Sequence, residues 1–389
     1  MLTTLPTEII IKILKYLPFS DLCSLSLVSR TVHSLATDPL LWSNYKLHYQ
    51  TPGHLINILT LHRFSKLKLL HLSNSELGDS SDSVSDIYFS KQEIEAVLDL
   101  LREVDLSDLR LSWINIKDID KHKISEVVTN TEMVSIEAET EIDREAIEEI
   151  LKKIPEGKLN CFQTNQVNFD QIDPELLSAS INSLESFAAE LCFFSQDQVK
   201  MIFQQMSVKT KLKDISLFFT FRNILANVPA LTLGEAFSNL QNVYLGHSLL
   251  TSEQLFAIFH KMSCQTNLQR LFLTMTDTSP SLLQPLPTNI LSQAINKLQV
   301  FIAPRLFFST QQMKTILEQC AEDSSHLTRL DLGFREPLPD LDLNTMRSIL
   351  FKLENNMFKY HIQTKVMNEI MIPLFIRGSS TFKNTFDDT

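Results

Sequence analysis

The chain has 389 residues, 44% of them apolar and 21% charged, with a formal net charge of −11. That apolar share supports folding, and no run of roughly eighteen uncharged apolar residues exists to cross a membrane. The acidic balance argues against a nucleic-acid surface, which needs clustered cations to displace counterions.

At the N-terminus, Leu5, Ile9, Ile13 and Leu17 recur every four residues, with Ile10 and Leu14 beside them. This spacing predicts a helix with a wide apolar stripe. Pro6 suits its first turn, where a missing N–H costs nothing. Pro18 ends it, Ser20 or Asp21 caps the next helix, and Asp38-Pro39 opens a short turn carrying Trp42. About fifty residues bury too little surface to be stable alone, so the segment either docks on the rest of the chain or offers its stripe to a partner.

The ordered string Leu5-Pro6-Thr7-Glu8-Ile9, Ile13-Leu14-Lys15-Tyr16-Leu17-Pro18, Asp21-Leu22, Leu27-Val28-Ser29-Arg30 and Leu41-Trp42 resembles the F-box over residues 2–48. The resemblance implies an all-α module in which Leu5, Pro6, Ile9, Ile13, Leu14, Leu22, Val28 and Trp42 bind a Skp-family adaptor. Through that adaptor the chain would hang on a cullin-RING ubiquitin ligase, as its non-catalytic substrate-recognition subunit. The expected boundaries are 1–50 for this module, 51–65 for a linker helix, 66–369 for a repeat array and 370–389 for a C-terminal cap or tail.

Between Leu67 and Leu106 an insertion holds Gly78-Asp-Ser-Ser-Asp-Ser-Val-Ser85-Asp86, a composition that reads as a loop. Ser90 with Glu93 then caps a helix. Beyond it the chain is periodic. Leu184, Leu212, Leu240, Leu268, Leu298 and Leu327 each open an L-x-x-L-x-L-like segment, 28, 28, 28, 30 and 29 residues apart. Such a segment predicts a short strand with one face buried. Ser195, Thr251 and Ser309 stand at capping positions, each with Gln three residues later (Gln198, Gln254, Gln312). Apolar residues then fall at identical offsets, as in Leu255, Ile258, Phe259 and Met262, which marks one face of a helix.

Looser copies begin at Leu67, Leu106, Met133, Leu159 and Met357, making about eleven strand–helix units. The array resembles the long form of the leucine-rich repeat, which implies a curved parallel sheet with helices on the convex side. It departs from the family in lacking the Asn after each strand, where Cys192, Thr220, Ser248, Thr276, Leu306 and Arg335 stand. Irregularity is expected at Leu306 and Arg335, whose side chains cannot replace that Asn. Pro229 falls where the helix of the Leu212 unit should run.

Alternation places His71, Arg110, Glu137, Gln163, Ala188, Ser216, Tyr244, Phe272, Ile302, Asp331 and His361 on the open face, one per strand. Phe218, Tyr244, Phe272 and Ile302 form an apolar centre there, the expected substrate-binding strip, which the apolar segment Ile370–Ile376 could instead cover.

Catalytic chemistry has no support. The seven glycines form no phosphate-binding or nucleophile-elbow motif, and the ten histidines are dispersed. The five cysteines have no zinc spacing, so no metal and no cofactor are expected, and a reduced intracellular setting, cytoplasmic or nuclear, is. Partners are an adaptor and an unknown protein target, with no nucleic acid and no membrane, and the chain is expected to be a monomer within the complex. The competing reading is a leucine-rich-repeat scaffold or inhibitor that binds a protein without causing its ubiquitination.

Overall fold

The computed structural model describes residues 5–17, 19–36, 38, 41, 68–73, 90–112, 114–137, 140, 142–208, 210–221, 223–274, 283, 285–322, 327, 329–334 and 359–364. The expected linker helix over 51–65, the loop at 78–86, Trp42, Thr276, Arg335 and the C-terminal segment 370–389 lie outside the described residues. Two compact units divide the chain, Met1–Cys192 and Phe193–Thr389.

The first unit opens with three short helices, α1 (Thr7–Leu14), α2 (Phe19–Ser26) and α3 (Arg30–Ala36). Pro6 is the residue before α1, in extended backbone, and its carbonyl accepts from the Ile10 N–H at 3.1 Å. The Ser29 hydroxyl accepts from the Val32 N–H at 3.2 Å, which starts α3. The start of α2 corrects the capping read from Ser20 and Asp21: the helix already includes Phe19, and Asp21 lies in its first turn.

Strands β1 (Leu69–Ser73), β2 (Asp108–Ser112), β3 (Met133–Ile136), β4 (Cys161–Asn165) and β5 (Ser186–Cys192) follow, parallel and in sequence order. Between them run α4 (Lys91–Leu101), α5 (Lys121–Thr129), α6 (Arg144–Lys153) and α7 (Pro174–Ser183). Alternate strand residues are buried, as in Leu70 and Leu72, Leu109 and Leu111, Phe187 and Ala189. Ser90 and Glu93 form the expected reciprocal cap on α4. In β3 the buried pair is Val134 and Ile136, so Ser135, not Glu137, lies in register with Arg110 and Gln163. The sequence reading slipped by one pleat there because Met133 also fits the apolar template.

The second unit repeats the plan with β6 (Asp214–Phe219), β7 (Asn242–Gly246), β8 (Arg270–Thr274), β9 (Val300–Phe307), β10 (Arg329–Phe334) and β11 (Lys359–Thr364). Neighbouring strands are parallel. Its helices are α8 (Gln196–Val208), α9 (Ala230–Asn239), α10 (Ser252–Cys264), α11 (Thr288–Asn296) and α12 (Thr310–Glu322). Fully buried phenylalanines stitch it together: Phe203 against Phe237, and Phe259 edge-on to Phe301, each pair with ring centroids 6.1 Å apart. An all-α N-terminal segment followed by strand–helix repeats with parallel strands is the fold class read from the sequence.

The capping boxes do more than close helix ends. The Thr251 N–H donates to Gln254 Oε1 at 2.9 Å and the Gln254 N–H to Thr251 Oγ1 at 3.2 Å. Gln254 Nε2 then donates to the carbonyls of Leu225 and Val228, both at 2.8 Å, in the loop before α9. Gln312 does the same to Leu283 and Leu286, at 2.8 and 3.0 Å. Each glutamine thereby satisfies buried backbone that its own repeat does not contain.

Pro229 does not break a helix. It stands as the residue before α9 with φ of −58°, so the helix starts late and runs ten residues. Gly234 lets α9 approach α10 closely: a Cβ there would lie 2.7 Å from the Ala257 carbonyl oxygen. The expected irregularity at Leu306 is present, since β9 runs eight residues and its pairing with β10 jumps from Leu332–Ala303 to Gly333–Phe307. Gln166, Leu191 and His247 adopt left-handed backbone just past the strand centres, with φ of 60°, 52° and 56°.

Cys192 partly replaces the missing Asn: its Sγ donates to the Glu190 carbonyl at 3.4 Å and meets Thr164 Oγ1 at 3.4 Å. The Ser248 hydroxyl, by contrast, is buried without a hydrogen-bond partner among the described residues. Burial pushes the Cys192 thiol above its ordinary pKa, which lowers its thiolate fraction at neutral pH. Cys264 is exposed. Under native conditions at pH 8, iodoacetamide is expected to modify Cys264 at least tenfold faster than Cys192, read by peptide mass mapping; equal rates would contradict this packing.

Candidate functional site

Two surfaces follow from this framework. In the first, α1 is apolar on two sides. Ile10 and Leu14 face inward with Leu22 of α2, at 6%, 3% and 1% exposure. Leu5, Ile9 and Ile13 keep 42%, 42% and 43% of their surface, and Val28 keeps 69%. Pro6 is exposed beside them. Leu14 and Leu22, read from the sequence as contact residues, are thus core of the three helices and can support an adaptor only by holding the others in place. Tyr16 and Leu27 are highly exposed and extend the apolar surface beyond the residues singled out in the sequence. This stripe has the i, i+4, i+8 spacing that amphipathic helices use when they lie in a partner's groove.

The second surface is a sheet face in the second unit. Pairing puts Ser216, Tyr244, Phe272, Ile302, Asp331 and His361 in one row across six strands. The Tyr244 and Phe272 rings stack with centroids 4.2 Å apart and planes 20° off parallel, both half-buried. Ile302 is 8% exposed, so it backs this stack and is not open surface, which corrects its place in the expected strip. Phe218 belongs to the next row, opposite Gly246. Its ring lies across that glycine, since a Cβ on Gly246 would collide with it. The strip is therefore Tyr244 and Phe272 in one row, with Phe218 folded in from the side.

One pleat N-terminal to this row lie Asp214, Asn242, Arg270, Val300, Arg329 and Lys359. Asn242 donates to the Asp214 carboxylate. Arg270 and Arg329 are exposed, and neither pairs with a carboxylate among the described residues. The apolar pattern drew attention away from these cations; only the register brings them together.

The open face of the first unit is polar. Ser112 Oγ donates to Glu137 Oε2 at 2.6 Å and lies 3.0 Å from His71 Nε2, while Arg110 pairs with Asp108 at 3.3 Å. Ser112 is 3% exposed, so its hydroxyl ties His71 to Glu137 and is not presented to a substrate. Among the described residues no cluster of three or more His, Cys, Asp or Glu is placed to hold a metal, and no helix is long and apolar enough to cross a membrane.

Comparison with known proteins bears on the first surface. The family model for F-box-like domains matches residues 2–48, so the chain begins with an F-box-like segment. No curated protein matches the chain. Among solved structures, a crystal structure of a TLR13–ssRNA13 complex aligns with 79% of this chain and 42% of that one, at 14% identity and a TM-score of 0.39. The chain thus spans less than half the length of that protein.

Proposed function

We propose that this chain is a non-catalytic substrate-recognition subunit of a cullin-RING ubiquitin ligase. In this reading the F-box-like segment docks on a Skp-family adaptor, and the strand–helix repeats hold the protein to be ubiquitinated. The observation that carries it is the exposed stripe of Leu5, Ile9 and Ile13 inside the matched residues. Ubiquitin transfer falls to other subunits. The chain acts inside the cell, as one copy per complex.

Co-expression with a Skp-family adaptor tests the docking step. The parent chain is expected to copurify with the adaptor. Leu5→Ala with Ile9→Ala removes two exposed contacts, and adaptor capture should fall at least about tenfold while the melting temperature holds. Leu14→Ala should instead loosen the three helices, because it empties a buried site. Undiminished capture by the double variant would refute the docking assignment. A target whose half-life is unchanged when cullin activity is blocked would favour a scaffold or inhibitor over a ligase subunit.

A further inference from the structure

We infer that the open sheet face of residues 193–389 binds an acidic peptide segment carrying an apolar side chain. Its carboxylates would sit on Arg270 and Arg329, and its apolar group on the Tyr244–Phe272 stack. The inference rests on the reading that this face selects the target, and it names the chemistry of that target.

The argument is one of register and charge. Parallel pairing fixes Arg270 and Arg329 in a single row, two strands apart across Val300. Strands spaced about 4.8 Å put those two Cα positions roughly 10 Å apart, and the aromatic row lies about 6.6 Å further along the strands. A peptide crossing the strands in polyproline II form advances about 3.1 Å per residue and returns a side chain to the same side every three residues. Acidic residues three positions apart therefore face both guanidinium groups, and an apolar side chain between them, splayed to the side, reaches the stack.

The surroundings set the sign of the occupant. The chain carries a net charge of −11, so two exposed arginines without a described carboxylate stand against an acidic background. Asp214 at one end of the row is already engaged by Asn242. Arginine favours carboxylates through its forked donors, and stacked aromatic rings give the flat apolar contact on which interface affinity concentrates.

The test uses the full-length chain and an oriented library of 12-residue peptides, with bound sequences read by mass spectrometry. The expected selection is for Asp or Glu three positions apart with Phe, Trp or Leu between them, weakening as salt rises. Arg270→Glu with Arg329→Glu should move the selection to Lys and Arg at the same spacing, with the melting temperature held as a check on folding. Tyr244→Ala or Phe272→Ala should weaken the selected peptides about tenfold or more. Several results would overturn the inference: no selection, a selection indifferent to the charge reversal, or stronger binding of a 12-nucleotide oligouridylate that the reversal abolishes. Selection seen only after deletion of residues 370–389 would make that segment the occupant and also overturn it. Adaptor capture is read separately, so loss of the ligase reading with peptide selection intact, or the converse, is visible.

Discussion

Gln254→Ala is expected to lower the stability of the second unit by about 3–5 kcal/mol, although the residue lies far from any proposed contact. The side chain is 3% exposed and serves three backbone groups at once, namely the Thr251 N–H and the carbonyls of Leu225 and Val228. Thr251 Oγ1 still accepts from the N–H of residue 254, and the Leu225 carbonyl keeps only the Val228 N–H. The Thr251 N–H and the Val228 carbonyl lose their side-chain partner, at roughly 1–3 kcal/mol for each buried group. For a unit of this size that corresponds to a fall of about 10 °C in melting temperature. Gln254→Glu separates the two roles. The acid can still accept from Thr251 but cannot donate to both carbonyls, and its buried carboxylate prefers to be protonated. Its folded pKa is therefore raised, so its penalty is largest above that pKa and shrinks as pH falls through it. A fall of less than about 2 °C for Gln254→Ala would mean these hydrogen bonds carry no net stability.

The second large effect separates the two faces of one sheet. Phe259 is fully buried under β9, edge-on to Phe301, whereas Phe272 is half-buried on the open side. Phe259→Ala should cost about 3–5 kcal/mol through lost burial and an unfilled cavity. Phe272→Ala should cost about 1 kcal/mol, the scale of a stacked aromatic pair at a surface. Denaturant titration of both variants decides the matter. Equal losses would show that the stack is core, and the peptide-binding surface would lose its basis.

Much of this architecture was legible in the sequence because the repeat enforces itself. Leu255, Ile258, Phe259 and Met262 recur with partners at equal offsets in other units, and every one of these four is buried. The capping pairs were equally plain, since Ser or Thr followed by Gln three residues later is a local signal with a local cause. What the sequence concealed was non-local. Nothing in the string Thr251-Ser-Glu-Gln254 shows that the amide reaches carbonyls 26 and 29 residues upstream. The left-handed turns at Gln166, Leu191 and His247 were hidden because no glycine marks them.

The candidate surfaces divide along the same line. The stripe Leu5, Ile9, Ile13 could be read from helical spacing, but periodicity alone could not tell it from the buried line of Ile10 and Leu14 one residue over. Burial decides that, and burial depends on how α2 and α3 fold back. Ile302 was read as surface because it alternates correctly; its 8% exposure reflects packing that alternation along one strand does not report. Arg270 and Arg329 lie 59 residues apart in the chain and meet in one row only through two strand pairings.

The reach of Gln254 and Gln312 back to an earlier loop gives synthesis on the ribosome a direction. As the nascent chain emerges, the Leu225 carbonyl has only the Val228 N–H, and the Val228 carbonyl waits for its side-chain donor, until Gln254 follows them out of the exit tunnel. These two loops stay incompletely bonded until the first helical turn of the following repeat has been made. A pause or a premature stop just before Ser252 would therefore strand a finished-looking α9 on an unsealed loop, a form that quality-control proteases could recognise before the missing residues arrive.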